Sequence, residues 1–155
     1  MDVAVLEFLV SRRDGPLYEK ILVAVDHSDV TARVLDAARG LASLSHGEVW
    51  VVHVRERETV GETGPLTSRE STEEAGADVS SAVAALTQAG INAHGVVRDT
   101  VFGRAAREIV TEAKERGADV IIMGSRGRGD LAGLVLGSTA HKVIHLTDRP
   151  VLIVR

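Results

Sequence analysis

The chain has no cysteine. Disulfides and thiolate metal sites are therefore excluded, and a reducing compartment is compatible with the composition. Aromatic residues make up only 3% of the 155 positions, against 45% hydrophobic residues in all. The core must be aliphatic, built from Val, Ile, Leu and Ala. A basic excess is missing too, since the formal net charge is −4. That argues against nonspecific nucleic-acid binding, which runs on phosphate neutralisation by Lys and Arg. No apolar run approaches the roughly 18 residues of a membrane span. Residues 1–10 are partly apolar, but Asp2 and Glu7 interrupt them and no basic segment leads them. They do not read as a signal peptide. The expectation is a cytoplasmic, soluble protein with neither nucleic-acid nor membrane partners. Its length suits one domain with a sizeable core.

What is present is an alternation of apolar runs and helical stripes. Residues 1–16 read as an N-terminal extension, a short helix or a disordered arm, closed by Asp14-Gly15-Pro16. Lys20 to Asp26 is a continuous apolar run ending in a carboxylate. Continuous rather than alternating apolarity means burial on both faces, as in a parallel sheet. Ser28 or Asp29 is placed to cap the helix that follows, which carries Ala32, Leu35, Ala38 and Ala42. Glu48 to Val54 is a second buried strand. Residues 55–71 are polar, with Gly61, Gly64 and Pro65, and read as a long mobile loop. A helix over 73–89, an edge-like strand over 91–98 and a helix carrying Ala106, Ile109, Val110 and Ala113 follow. Ala118 to Met123 is the fourth strand, a helix runs to about Leu146, and Val151 to Val154 is the last strand. Five strands alternating with helices predict an α/β fold, a parallel sheet covered on both faces through right-handed crossovers.

The stretch from Val120 to Ser138 carries the chemistry. Its apolar run breaks at Gly124, and glycines return at Gly127, Gly129, Gly133 and Gly137. Without a Cβ, the backbone lets a phosphate approach its N–H groups. A helix start at Ser138 and Thr139 adds unpaired donors and the positive end of the dipole. Either hydroxyl could cap that helix or donate to a phosphate oxygen. The spacing is not the dinucleotide fingerprint, and no Gly-Lys-Ser/Thr makes it a Walker A loop. A plain connector between strand and helix is the alternative.

Gly124, two residues, Gly127, nine residues, Gly137-Ser138 resembles the signature of the ATP-binding branch of the universal stress protein family. The likeness extends over 17–155. The opening strand ends in Asp26, the second ends His53-Val54, Ala118 to Gly127 matches the fourth-strand signature, and Arg149 to Val154 matches the closing strand. The resemblance implies a three-layer, Rossmann-like domain with a five-stranded sheet in order 3-2-1-4-5. It implies phosphate contacts at Gly124, Arg126, Gly127, Gly137 and Ser138, with Thr139 adjacent, and counts Met123 among the nucleotide-binding residues. It implies a nucleoside end at Ala24, Val25, Asp26 and Val54. Asp26 is assigned to the adenosine, because beside a triphosphate it would be repelled without a cation, with Mg²⁺ contact as the lesser alternative. ATP is the implied ligand, with Mg²⁺ or Mn²⁺ carried by its phosphates. The implied homodimer joins copies through Val151 to Val154. A regulatory or stress-response role is implied, with a slow ATPase or nucleotide-dependent transferase as the alternative.

No residue is assigned as catalytic or as a metal ligand. His141 and His145 stand four apart, but no adjacent glutamate completes His-Glu-x-x-His. His27 reads as a loop residue beside Asp26. Ser138 lacks the nucleophile-elbow pattern.

Overall fold

The computed structural model describes residues 17–61, 63–127 and 136–155. The extension over 1–16 and the loop residues Arg128, Gly129, Asp130 and Gly133 lie outside the described residues.

Elements follow in the order β1 (Lys20–Ala24), α1 (Thr31–Ser45), β2 (Glu48–Thr59), β3 (Leu66–Thr67), α2 (Thr72–Gln88), β4 (Ala93–Val101), α3 (Ala105–Arg116), β5 (Val120–Gly124), α4 (Ser138–Leu146) and β6 (Val151–Val154). The parallel strands lie in the order β4-β2-β1-β5-β6, which is the expected 3-2-1-4-5 once β3 is set aside. β3 is an addition, a two-residue antiparallel partner for the far end of β2.

Burial on both faces follows from the apolar runs. Ile21 and Val23 point to one side, where α1 brings Val34, Ala38 and Ala42 and α2 brings Val79, Ala82 and Leu86. Leu22 and Ile121 point to the other, against Ala106, Ile109 and Val110 of α3 and Val143 of α4. Each fully buried Leu, Ile or Val contributes about 1.5–3 kcal/mol relative to exposure. Gly95 on β4 lets α2 close down on the sheet, since a Cβ there would sit 2.3 Å from Val79 Cγ1. Gly117 ends α3 in the left-handed conformation at φ 64°.

Several boundaries differ from expectation. The polar segment 55–71 is not one long loop. β2 continues to Thr59 and pairs with β4 as far as Arg57 opposite Val101. β4 accordingly begins at Ala93 and runs on to Val101. Polar side chains hold this extension: Arg55 makes a two-pronged pair with Asp99 at 2.6 and 2.9 Å. Ser71 closes the segment with a capping box, exchanging bonds with Glu74. Neither Ser28 nor Asp29 caps α1; the cap position is Val30, with no side-chain bond. Asp26 takes the local donors instead, its Oδ1 accepting from Ser28 N–H at 2.9 Å and its carbonyl from Thr31 Oγ1. At α4 the cap position is Gly137, so neither Ser138 nor Thr139 is the cap.

Candidate functional site

Parallel strands end together, and where β1 and β5 diverge into α1 and the 125–137 loop they leave a crevice. The cleft there has a volume of about 1020 Å³. All eleven residues singled out in the sequence line it. Ala24, Val25 and Asp26 come from the end of β1, and Val54 from β2. Met123, Gly124, Arg126 and Gly127 come from β5 and its loop; Gly137, Ser138 and Thr139 open α4.

The phosphate-like wall is backbone. Ser125 is buried; its N–H donates to Val154 O at 2.7 Å, and its carbonyl accepts from Gly137 N–H at 2.6 Å. These two bonds tie Ser125 to the last strand and Gly137 back to Ser125. His141 N–H reaches back to Gly137 O at 3.0 Å, closing the first turn. The N–H groups of residues 138–140 then have no partner within the helix, an arrangement that suits an anion. A Cβ on Gly124 would stand 3.2 Å from Arg126 O, so the loop packs on itself there. Lys142, one turn on from Ser138, also lines the cleft. Sequence reasoning missed it, although the i, i+4 spacing from Ser138 on the predicted helix was there to find it.

The opposite wall is acidic and made of side chains. Asp26, Glu56, Glu58 and Glu70 line it. Glu56 Oε1 accepts from Gly103 N–H at 2.9 Å and Ala105 N–H at 3.1 Å, so this carboxylate sits on the N-terminus of α3. Ser68 Oγ donates to Glu56 O at 2.9 Å and holds the connector against β2.

Below that lies a histidine–carboxylate chain. His53 is 5% exposed. Its Nδ1 is 2.9 Å from Val25 O, and a carbonyl can only accept, so Nδ1 carries a proton. Its Nε2 is 2.7 Å from Glu70 Oε2. Glu70 Oε1 lies 2.6 Å from His27 Nε2, which is also 2.7 Å from Asp78 Oδ2. Burial pushes the Glu70 carboxyl up, but the hydrogen bonds and charge of His53 and His27 outweigh it and hold it below its ordinary value. Sequence reasoning read His27 as a loop residue and missed this chain, whose members lie far apart in sequence. The pair it weighed for metal, His141 and His145, is exposed and stands off the cleft with ring nitrogens 3.3 Å apart.

Among the described residues the charges across the cleft therefore run from Arg126, Lys142 and a helix N-terminus to four carboxylates with Arg69 beside them. A ligand with an anionic end and a hydroxyl-bearing end matches that gradient.

Comparison with known proteins agrees in family and fold. The model of the universal stress protein family matches residues 17–155. The universal stress protein YxiE of Bacillus subtilis is 36% identical over 152 residues, 90% of this chain and 100% of that one. Among solved structures, MJ0577, a universal stress protein of Methanocaldococcus jannaschii, superposes with a TM-score of 0.74 at 28% identity, over 89% of this chain and 96% of its own. A universal stress protein of Archaeoglobus fulgidus in complex with dAMP superposes with a TM-score of 0.68 at 29% identity, over 90% of this chain and 99% of its own.

Proposed function

The chain belongs to the universal stress protein family, and from that premise we propose that it is an ATP-binding regulatory protein of the stress response. The bound nucleotide sets its conformation or its choice of partner. The observation that carries this reading is the α4 N-terminus, bounded by Gly137 and faced by Gly124 and Gly127 across one cleft with Arg126 and Lys142. Unpaired N–H groups and two cations favour a polyphosphate. The dAMP complex of the Archaeoglobus relative supports an adenine nucleotide.

In this reading the phosphates lie on Gly124, Arg126, Gly127, Gly137, Ser138 and Thr139. The nucleoside lies toward Ala24, Val25, Asp26, Val54 and Met123. The ribose faces Asp26 Oδ2, the oxygen not held by Ser28. Mg²⁺ or Mn²⁺ travels with the phosphates and screens their charge from Asp26. The protein works in the cytoplasm; among the described residues no helix is long and apolar enough to cross a membrane.

Mass spectrometry of nucleotide released from purified protein, followed by calorimetry with ATP, tests the reading. Bound or titratable adenine nucleotide supports it. A nucleotide-free protein that gives no heat with ATP overturns it. A turnover assay on the same sample separates a regulatory binder from a slow ATPase.

The functional unit is a homodimer through β6. Leu152 is 42% exposed on this short apolar strand, which pairs with β5 on one side. An apolar edge invites a second strand. Ile153→Lys puts a charge in that joint, and the expected outcome is a monomer in sedimentation at low micromolar concentration. A dimer that survives it rules out this interface.

A further inference from the structure

We propose that His27, Glu70 and Asp78 form a binding site for one divalent transition ion of the zinc class, distinct from any metal carried by nucleotide phosphates. Their ligand atoms, His27 Nε2, Glu70 Oε1 and Asp78 Oδ2, all lie within 4.8 Å of one another. Three backbone segments bring them together: the turn after β1, the connector before α2, and the second turn of α2.

Proton counting points to a cation. The imidazole Nε2 has one bonding lobe and at most one proton there. Two carboxylate oxygens stand 2.6 and 2.7 Å from it. One N–H cannot serve both. Asp78 Oδ2 is the one left over, a buried oxygen without a hydrogen-bond partner although His27 is so near. A buried carboxylate oxygen without a donor is costly, and a second carboxylate beside it raises the cost. A divalent ion resolves both. It takes the Nε2 lone pair, leaves the ring proton on Nδ1, and binds both oxygens.

Zinc takes imidazole nitrogen and carboxylate oxygen as ligands, and three protein ligands leave a fourth position for water. Ligand atoms around tetrahedral zinc stand roughly 3.3 Å apart, so each side chain must withdraw by a few tenths of an ångström. A second hollow of about 310 Å³, lined by His27, Asp78 and Ser81, leaves room for that and for a completing water. Magnesium is disfavoured, since it prefers an octahedral, all-oxygen shell. His53 completes the arrangement as a positioning residue: it holds the other Glu70 oxygen, Oε2, and is itself fixed by Val25 O. The ion would staple the connector to the end of β1 on the nucleoside side of the cleft.

The test is calorimetric titration of the dialysed, nucleotide-free full chain with ZnCl₂ and, separately, MgCl₂. The expected result is one saturable zinc per chain and no saturable magnesium. His27→Ala and Asp78→Asn should each weaken zinc at least tenfold, while a His141→Ala/His145→Ala double variant binds as the parent does. Both test side chains reach solvent, and Asp78→Asn is nearly isosteric; circular dichroism checks that each variant is folded. Unchanged affinity in both variants, loss of binding in the double histidine variant, or no saturable zinc in the parent overturns the proposal. No nucleotide is present, so the outcome is independent of the ATP experiment.

Discussion

One wall of the cleft is backbone from a single short stretch: Gly124, Gly127 and the opening of α4 at Gly137. The other is side chains gathered from separate segments: His27 after β1, His53 and Glu56 on β2, Glu70 on the connector. The first wall offers N–H groups whose direction the fold fixes, and the described residues that line it include no carboxylate. The second offers groups that carry charge and depend on their neighbours. The difference separates two jobs. A backbone wall is insensitive to pH and recognises an anion by shape and dipole. A side-chain wall recognises by chemistry and can be altered one residue at a time.

The largest effect should come from breaking the backbone wall. Gly127→Val puts a branched side chain where a phosphate oxygen would stand. Losing two charge-assisted bonds at about 1.5–3 kcal/mol each lowers ATP affinity by at least about 100-fold. Ser138→Ala removes one such bond and should cost roughly tenfold or somewhat more. Calorimetry gives the order parent, Ser138→Ala, Gly127→Val, with melting temperatures nearly unchanged, because both positions are exposed. Equal ATP affinity in the parent and Gly127→Val would reduce the glycine loop to a connector.

This contrast also explains what was legible in the sequence. The backbone wall is local: strand, glycine spacing and helix start all lie within one stretch, so the pattern can be read along the chain. The buried runs at Ile21 to Val23 and Val120 to Met123 were legible for the same reason. The side-chain wall is not local. His53 and Glu70 are 17 residues apart, His27 and Glu70 43. Nothing in the sequence marks them as neighbours. The polar segment 55–71 misled because apolar periodicity signals core contact, and the β2 extension has little. It is held by the Arg55–Asp99 pair, by Glu56 at the start of α3 and by the ladder to β4. The cap of α1 was misread because the helix starts later than the caps suggested: Val30 is the cap position, and Ser28 and Asp29 lie before it in the turn that Asp26 holds.

A smaller effect should follow from Glu56→Ala, the reciprocal of the glycine variant. Glu56 is the acceptor for two N–H groups at the start of α3, at 2.9 and 3.1 Å. Losing a capping acceptor costs about 1 kcal/mol, or a fall in melting temperature of about 2–4 °C for a domain of this size. ATP affinity should change far less than in Gly127→Val, because the residue stands opposite the phosphates. Differential scanning calorimetry beside ATP titration gives the cross-over: Gly127→Val loses affinity but keeps its melting point, and Glu56→Ala does the reverse. If Glu56→Ala matched Gly127→Val in lost affinity, the two walls would not be separable.

The smallest effect is the response to acid, where the two walls should part. The hydrogen bond from Arg55 holds the Asp99 carboxyl below its ordinary value, against a smaller push up from burial, with the charges of Arg55 and Arg57 adding to the fall. Arg55 in turn feels Glu70 and Glu73. A carboxyl whose folded pKa is depressed contributes stability that is fully present above its unfolded value, about 3.9, and lost as pH falls through the lower folded value. Since Asp99 is partly exposed, solvent screens the pair and its worth is at most about 1 kcal/mol. Amide exchange over residues 55–59 should therefore lose a few-fold of protection, corrected for intrinsic rates, between pH 6 and pH 3. The α4 amides should lose less, because among the described residues no carboxylate holds that helix start. Asp99→Asn isolates the pair: it should lower protection of 55–59 already at pH 6 and shrink the further drop on acidification. Protection that falls in α4 before it falls in 55–59 would reverse the assignment of rigid and adjustable walls.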